Sequence, residues 1–317
     1  MIFGLTTRWN AARHVSGEAM IEEILGLGFD HVELGYDLRI DLVPGVQKMV
    51  SEGAVKVESV HNYCPVPVGA PKGHPELFTF ADPDRRIRER AIHYTLKTAR
   101  FAAEVGAKVV IAHAGNVYMK RFSRMLQDLH EKGEHESNRY EKTKFKLQVV
   151  REKRVKKQFE YLREALGHLL PLMAETGVQL ALENLPTWES IPTELEMEML
   201  CKEFGPQNLR YWHDIGHAQI RQNLGFINQE RWLERLSPFL AGMHIHDVGH
   251  PVADHLMPSA GQVDFAALKR FARRNILRII EPSPNTPTEK VIEGLRFIRQ
   301  AWEDQKPAAT QGNEGSG

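Results

Sequence analysis

The chain is poor in cysteine. It has two, Cys64 and Cys201, among 317 residues. Two cannot build a disulfide framework, so the expectation is a reducing compartment. Long apolar runs are missing as well. None reaches the roughly 18 residues that suggest a membrane span. The first residues, MIFGLTTRWN, show neither a basic stretch before an apolar region nor a small-residue cleavage site. These absences predict a cytoplasmic protein with no membrane partner. No charge of one sign prevails, since 41 Lys and Arg balance 41 Asp and Glu. That balance weighs against a role in gripping nucleic acid, whose affinity comes largely from Lys and Arg on phosphates. Finally, no Gly-x-Gly-x-x-Gly follows the first apolar run, which removes the main support for a dinucleotide-binding fold.

Short β-branched runs alternate with longer amphipathic stretches. Strands are predicted over 2–7, 31–36, 55–61, 108–114, 178–184, 209–215, 241–247 and 277–282. Between them lie helical patterns such as AMIEEILGLG, where Met20, Ile21, Ile24, Leu25 and Leu27 form an apolar face before a glycine stop. Such alternation argues for βαβ units and a parallel sheet, and eight units favour a closed (β/α)8 TIM barrel over an open sheet. One barrel domain is expected over 1–303, followed by a disordered tail at 304–317 with almost nothing to bury.

One stretch breaks the rhythm, a charged helical insertion after strand 4 at about 117–157. Residues 120–157 hold 13 Lys and Arg against six acids, a local charge of +7. One reading is a solvated helical excursion running into the fourth helix. The other is a basic lid or arm that contacts phosphate or a neighbouring subunit, which would make a homo-oligomer.

Nearly every apolar run ends in a carboxylate or a histidine. In a parallel barrel the C-terminal strand ends surround one mouth, where the chemistry sits. Glu183, Asp214, His244 and Glu281 come from the fifth to eighth strands. Three carboxylates and an imidazole in one mouth would repel unless a cation sat among them, so the prediction is a divalent metal ion: Mn²⁺, Co²⁺, Mg²⁺ or Zn²⁺. His61, His113, His217 and His255 could add metal ligands or hold substrate oxygens, and Asp254 could join His255. His246 shares a strand face with His244, as a substrate contact or a structural hydrogen-bonder. His213 has the opposite parity and is predicted outside the barrel. Trp9 or Trp188 is expected to wall the substrate.

HNY at 61, AHAG at 112, LEN at 182, HDIGH at 213, HIHD at 244, SAGQVD at 259 and IIEP at 279 together carry a resemblance. The chain resembles the xylose-isomerase-like TIM-barrel superfamily, which includes tagatose- and psicose-type 3-epimerases and the endonuclease IV repair nucleases. The 3-epimerase resemblance implies one divalent metal on Glu183, Asp214, His244 and Glu281, with Glu189 and His217 as substrate-binding residues. The endonuclease IV resemblance implies a zinc cluster on His61, His113, Glu183, Asp214, His217, His244, His255 and Glu281. It also expects Asp where Ala253 stands, and D-T-C-H where this chain has D-I-G-H.

The leading expectation is an isomerase or epimerase of a small sugar, keto-sugar or related polyol. It would work through an enediolate, with Glu183 and Glu281 as catalytic residues. A lyase on an oxidised sugar or glycoside, and a zinc phosphodiesterase, are the alternatives.

Overall fold

In the computed structural model, which describes residues 1–303, eight parallel strands close into a barrel. Around the ring they run β1 (Gly4–Thr6), β2 (His31–Leu34), β3 (Lys56–His61), β4 (Val109–Ala112), β5 (Gln179–Glu183), β6 (Leu209–Asp214), β7 (Leu240–Ile245) and β10 (Leu277–Ile280), and β10 returns to β1. Each apolar run read as a strand forms one, trimmed at the ends. The tail expected at 304–317 lies outside the described residues. An antiparallel hairpin, β8 (Asp247–Gly249) with β9 (Ala253–Leu256), stands in the loop after β7 and was not foreseen.

The helices are α1 (Gly17–Gly26), α2 (Val43–Ser51), α3 (Arg85–Glu104), α4 (Phe122–Glu131), α5 (Asn138–Ala174), α6 (Glu194–Phe204), α7 (Ile215–Asn223), α8 (Gln229–Leu236), α9 (Phe265–Ala272) and α10 (Thr288–Trp302). Most of the core lies between this helical layer and the sheet. A smaller cluster of Val109, Ile111, Ala181, Trp212, Ala241 and Ile279 joins β4, β5, β6, β7 and β10.

Strand alternation positions the site. Side chains two apart on a strand share a face. Ile111, Ala181, Trp212, Gly242 and Ile279 therefore share faces with His113, Glu183, Asp214, His244 and Glu281. The first set makes an apolar floor and the second a polar layer above it. Gly242 is required by that floor, because a Cβ there would lie 2.3 Å from the Trp212 indole.

The 117–157 stretch is helical, and the picture of a merely solvated excursion is corrected. It comprises α4 and the first half of α5, a helix of 37 residues whose second half packs on the barrel. Phe122, Leu126, Leu129, Tyr140 and Leu147 form a second core with Ile220 of α7, Leu224 at its C-cap and Val248. Buried Arg151 ties α5 to the loop after β5. It makes a two-pronged pair with Glu196 at 2.8 and 2.9 Å and donates to the Trp188 and Ser190 carbonyls.

Candidate metal centre

The side chains at the strand ends converge. Glu183, Asp214, His244 and Glu281, all buried, offer ligand atoms within 4.8 Å of one another. His244 is the hub. Its Nδ1 lies 3.1 Å from Glu183 Oε1, 3.1 Å from Glu281 Oε2 and 3.7 Å from Asp214 Oδ2. Its Nε2 faces Glu33 at 3.1 Å, and the Ser59 hydroxyl donates to the same carboxylate. A carboxylate behind an imidazole fixes its tautomer and orientation, as around metal-ligating histidines. Glu33 escaped the list of site residues. Its signal was a charged residue inside an apolar strand.

Two more triads adjoin this set. His61 and His113 each place Nε2 3.1 Å from Glu183 Oε2, and the three form a second ligand group. His217, His246 and His255 form a third. Asp254 Oδ2 stands beside it, 3.4 Å from His255 Nδ1 and 4.0 Å from His217 Nε2. His246 Nε2 meets Asp214 Oδ1 at 2.9 Å, linking the third group to the first. Ala253 offers no ligand. Buried His246, from the strand face shared with His244, completes the triad instead.

Electrostatics match this geometry. Burial pushes the Glu183 and Asp214 carboxyls up, but imidazoles outweigh it and hold both well below the usual range: His244 and His113 for Glu183, His217 and His246 for Asp214. Glu281 is held down at about 2, against burial, by His244 and by Arg8, whose Nη1 lies 2.7 Å from its Oε1. His246 rises to about 9, the Asp214 carboxylate outweighing burial. Burial leaves His217 below the ordinary histidine value. Ionised carboxylates among imidazoles are the donor set of a divalent cation, which replaces the imidazole protons on binding.

Backbone and hydrogen-bond geometry explain three motifs. In LEN, the Asn184 amide clamps Asp214 by both backbone groups: its Oδ1 accepts from Asp214 N and its Nδ2 donates to Asp214 O. In HDIGH, Asp214 caps α7 by accepting from His217 N. Gly216 is there because a Cβ would lie 2.0 Å from the His246 ring. In HIHD, the Asp247 carboxylate accepts from four backbone N–H groups, those of Val248, Ser259, Gly261 and Val263. The SAGQVD run is thus wound around one carboxylate. His213 faces away from the mouth, as its parity predicts, toward Tyr211 and Gln229.

Two expected substrate contacts sit elsewhere. Trp9 is 1% exposed and donates through Nε1 to the Thr286 carbonyl, so it is a core residue and not a wall, which corrects that expectation. Trp188 stacks on Phe226 beneath the insertion. Glu189 is buried at the start of α4, accepting from Ser123 N, and its Oε2 has no hydrogen-bond partner among the described residues. It lines a 370 Å³ cavity with Glu76, Asn116 and Tyr118. Glu76 Oε1 lies 4.0 Å from His113 Nδ1, so this cavity adjoins the centre.

Residues 21–301 match the family model described as xylose isomerase-like TIM barrel. The chain belongs to that family. A Methanocaldococcus jannaschii protein of uncharacterised function, MJ1614, is 23% identical over 265 residues, 82% of this chain and 83% of that one. Among solved structures, the Escherichia coli 3-keto-D-glucoside 4-epimerase YcjR is similar, with TM-score 0.67 and 17% identity over 95% of this chain and 99% of that one. A D-tagatose 3-epimerase-like protein superposes with TM-score 0.68 at 17% identity, over 95% and 97% of the two chains. The D-psicose 3-epimerase of Clostridium cellulolyticum gives 0.62 at 13%, over 96% and 100%. At such identities the likeness is one of fold. Among the described residues no helix is long and apolar enough to cross a membrane.

Proposed function

We propose that this family member is a divalent-metal-dependent isomerase or epimerase of a small sugar, keto-sugar or related polyol. The observation that carries the reading is the Glu183–Asp214–His244–Glu281 set, with three carboxylates held in their ionised form around one buried imidazole. These four residues would hold the ion, which when bound polarises a substrate carbonyl and stabilises negative charge on its oxygen. Similar structures named as sugar epimerases support the same reading.

The chain's own groups divide the remaining work. Glu183 takes the proton from the carbon beside the carbonyl, leaving the enediolate, and Glu281, after taking up a proton from solvent, passes it to the opposite face or the adjacent carbon. His61 and His113 hold Glu183 through Oε2, and Arg8 holds Glu281 through Oε1. Each carboxylate is thereby oriented with its other oxygen toward the centre. His217 lies close enough to contact substrate hydroxyls, with its Nδ1 3.6 Å from Glu183 Oε1.

The test is solvent exchange. Metal-loaded protein is incubated in D₂O with D-tagatose, D-allulose and D-fructose, and C–H exchange is followed by NMR. Glu183→Gln and Glu281→Gln should each slow exchange by about 10²- to 10⁴-fold. Undiminished exchange in both variants would remove the assignment.

A second reading has an observation of its own. Three ligand groups, not one, are assembled, with Glu183 common to two of them. Histidine-rich groups suit zinc, and a multi-metal site suits hydrolysis of a phosphodiester. Elemental mass spectrometry of protein purified without chelator separates the readings. About one ion per chain supports the first. Two or three zinc ions, with cleavage of an abasic duplex, support the second.

A further inference from the structure

The insertion contains charge that neither reading uses. On α5, Arg139, Lys142, Lys146, Lys153, Arg154 and Lys157 are all exposed. At 100° per residue they fall within an arc of about 120°, and the row runs about 27 Å at 1.5 Å per residue. The two acids of that stretch, Glu141 and Glu152, fall on the opposite side of the helix. None of the six cations is ion-paired among the described residues. Some exposed arginines elsewhere are paired: Arg163 with Glu160 and Glu203, Arg235 with Glu198, Arg270 with Glu234.

The row borders a groove. Between α4 and α5 lies a 550 Å³ depression lined by Lys120, Phe122, Met125, Arg139, Lys142 and Lys146, with no acid in its lining. The Lys120 and Lys146 ammonium groups stand 5.8 and 5.7 Å from the Phe122 ring, so the aromatic floor gathers positive charge above it. The row also leads toward the mouth. Arg154 donates to the Tyr118 carbonyl at 2.9 Å, and Tyr118, 75% exposed, lines the cavity that adjoins His113.

Neighbouring cations on a helix face are about 5–6 Å apart and repel. A row of six without counter-charges is stabilised by an extended anion and gains little from a compact one, which reaches two or three of them. We propose that the α4–α5 insertion binds a phosphodiester backbone, that of a nucleic acid, along this row and across the mouth of the barrel. An anionic bilayer fits less well. The groove is concave, its Phe122 is buried, and the exposed Phe145 lies outside the basic arc, so the row itself carries no apolar wedge to insert. Whole-chain neutrality does not oppose the proposal, because screening makes the row act over about 10 Å. The inference is independent of which reaction the metal centre performs.

The test is fluorescence anisotropy with a labelled short DNA duplex and the full-length protein. Six phosphate contacts predict a loss of about 10³-fold in affinity between about 50 and 200 mM salt. The triple variant Lys142→Glu, Lys146→Glu, Lys153→Glu should weaken binding more than tenfold at low salt, and the same positions as Gln should weaken it less. A control triple on α10 (Lys290→Glu, Arg296→Glu, Arg299→Glu) makes the same charge change and should leave binding within about twofold, since α10 follows β10, which stands across the ring from β4. Circular dichroism verifies that each variant is folded. The proposal is overturned by absent binding at low salt, or by an equal loss in the α10 control. It is equally overturned if pyrophosphate competes as well as unlabelled duplex, or if phosphatidylserine vesicles bind more tightly.

Discussion

Lowering the pH should destabilise this protein through one histidine that takes no part in the metal centre. His213 is fully buried, and burial drops its pKa from 6.5 to about 3. Its hydrogen bonds require the neutral ring. The Gln229 amide donates one N–H to the Ile215 carbonyl and the other to His213 Nε2. Nδ1–H then faces Tyr211 Oη, whose own proton goes to Asn184 Oδ1. A proton on Nε2 would set two donors against each other. The folded pKa is depressed, so the unfolded state binds this proton first as pH falls. Stability is full above about 6.5 and declines toward about 3, by about 1.4 kcal/mol per pH unit. At pH of about 4.5 the loss from this residue is about 3 kcal/mol. The assay is urea unfolding of wild type and His213→Gln across this window, with chelator present so that metal release does not enter. Other titrating groups cancel in the difference between the two proteins. The variant, though less stable near neutrality, should show the shallower acid slope by one proton. Parallel slopes would refute the assignment.

The remaining predictions concern the centre itself. Gly216→Ala places a methyl 2.0 Å from the His246 ring and 2.3 Å from its Nδ1, so the ring must move off Asp214 and out of the His217–His246–His255 triad. Overpacking of this kind costs about 1–3 kcal/mol, and a zinc titration should lose that site while the Glu183–Asp214–His244–Glu281 set still binds. Equal zinc stoichiometry in wild type and variant would exclude the triad as a site. Removing metal should lower the melting temperature, because an ion present at about 100 times its Kd contributes about 2.7 kcal/mol. An unchanged transition with and without chelator would count against any resident ion.

The fold was readable because two periodicities seldom conflict in this chain. Runs such as KVVIAHA and VQLALEN are β-branched or aliphatic, short and bounded by glycine or polar residues, and they become β4 and β5 with their ends trimmed. Parity alone separates the inward Asp214 from the outward His213. The β8–β9 hairpin was not readable. VGHPVADHL has no long apolar alternation, and its order comes from outside, from His246 Nδ1 accepting from His255 N and from the Asp247 carboxylate gathering the following loop. The insertion was readable as helical and basic, but not as packed. Its apolar residues Phe122, Leu126, Leu129 and Leu147 form a core only against α7, which lies some seventy residues on.

The site divides along the same line. Residues that lie at strand ends were found, because closure of the barrel brings every strand end to one place. Residues that act on those ligands from behind were not: Glu33 behind His244, and Asn184 bridging β5 to Asp214. Each is polar in an apolar run, yet its function depends on a partner from another strand. His246 is the instructive case. The D-x-H pattern leads one to seek a carboxylate ligand for a third metal at position 253, two residues before His255, where alanine stands. In the structure the third member of that group is the imidazole of His246, just past the end of β7, and Gly216 leaves the room for it. Three imidazoles make this group softer than one that includes a carboxylate ligand, with Asp254 standing beside it. That shifts its preference from Mg²⁺ or Mn²⁺ toward Zn²⁺. The glycine of D-I-G-H and the second histidine of H-I-H-D are therefore one feature written in two places, and substitution of either should be felt at the same metal.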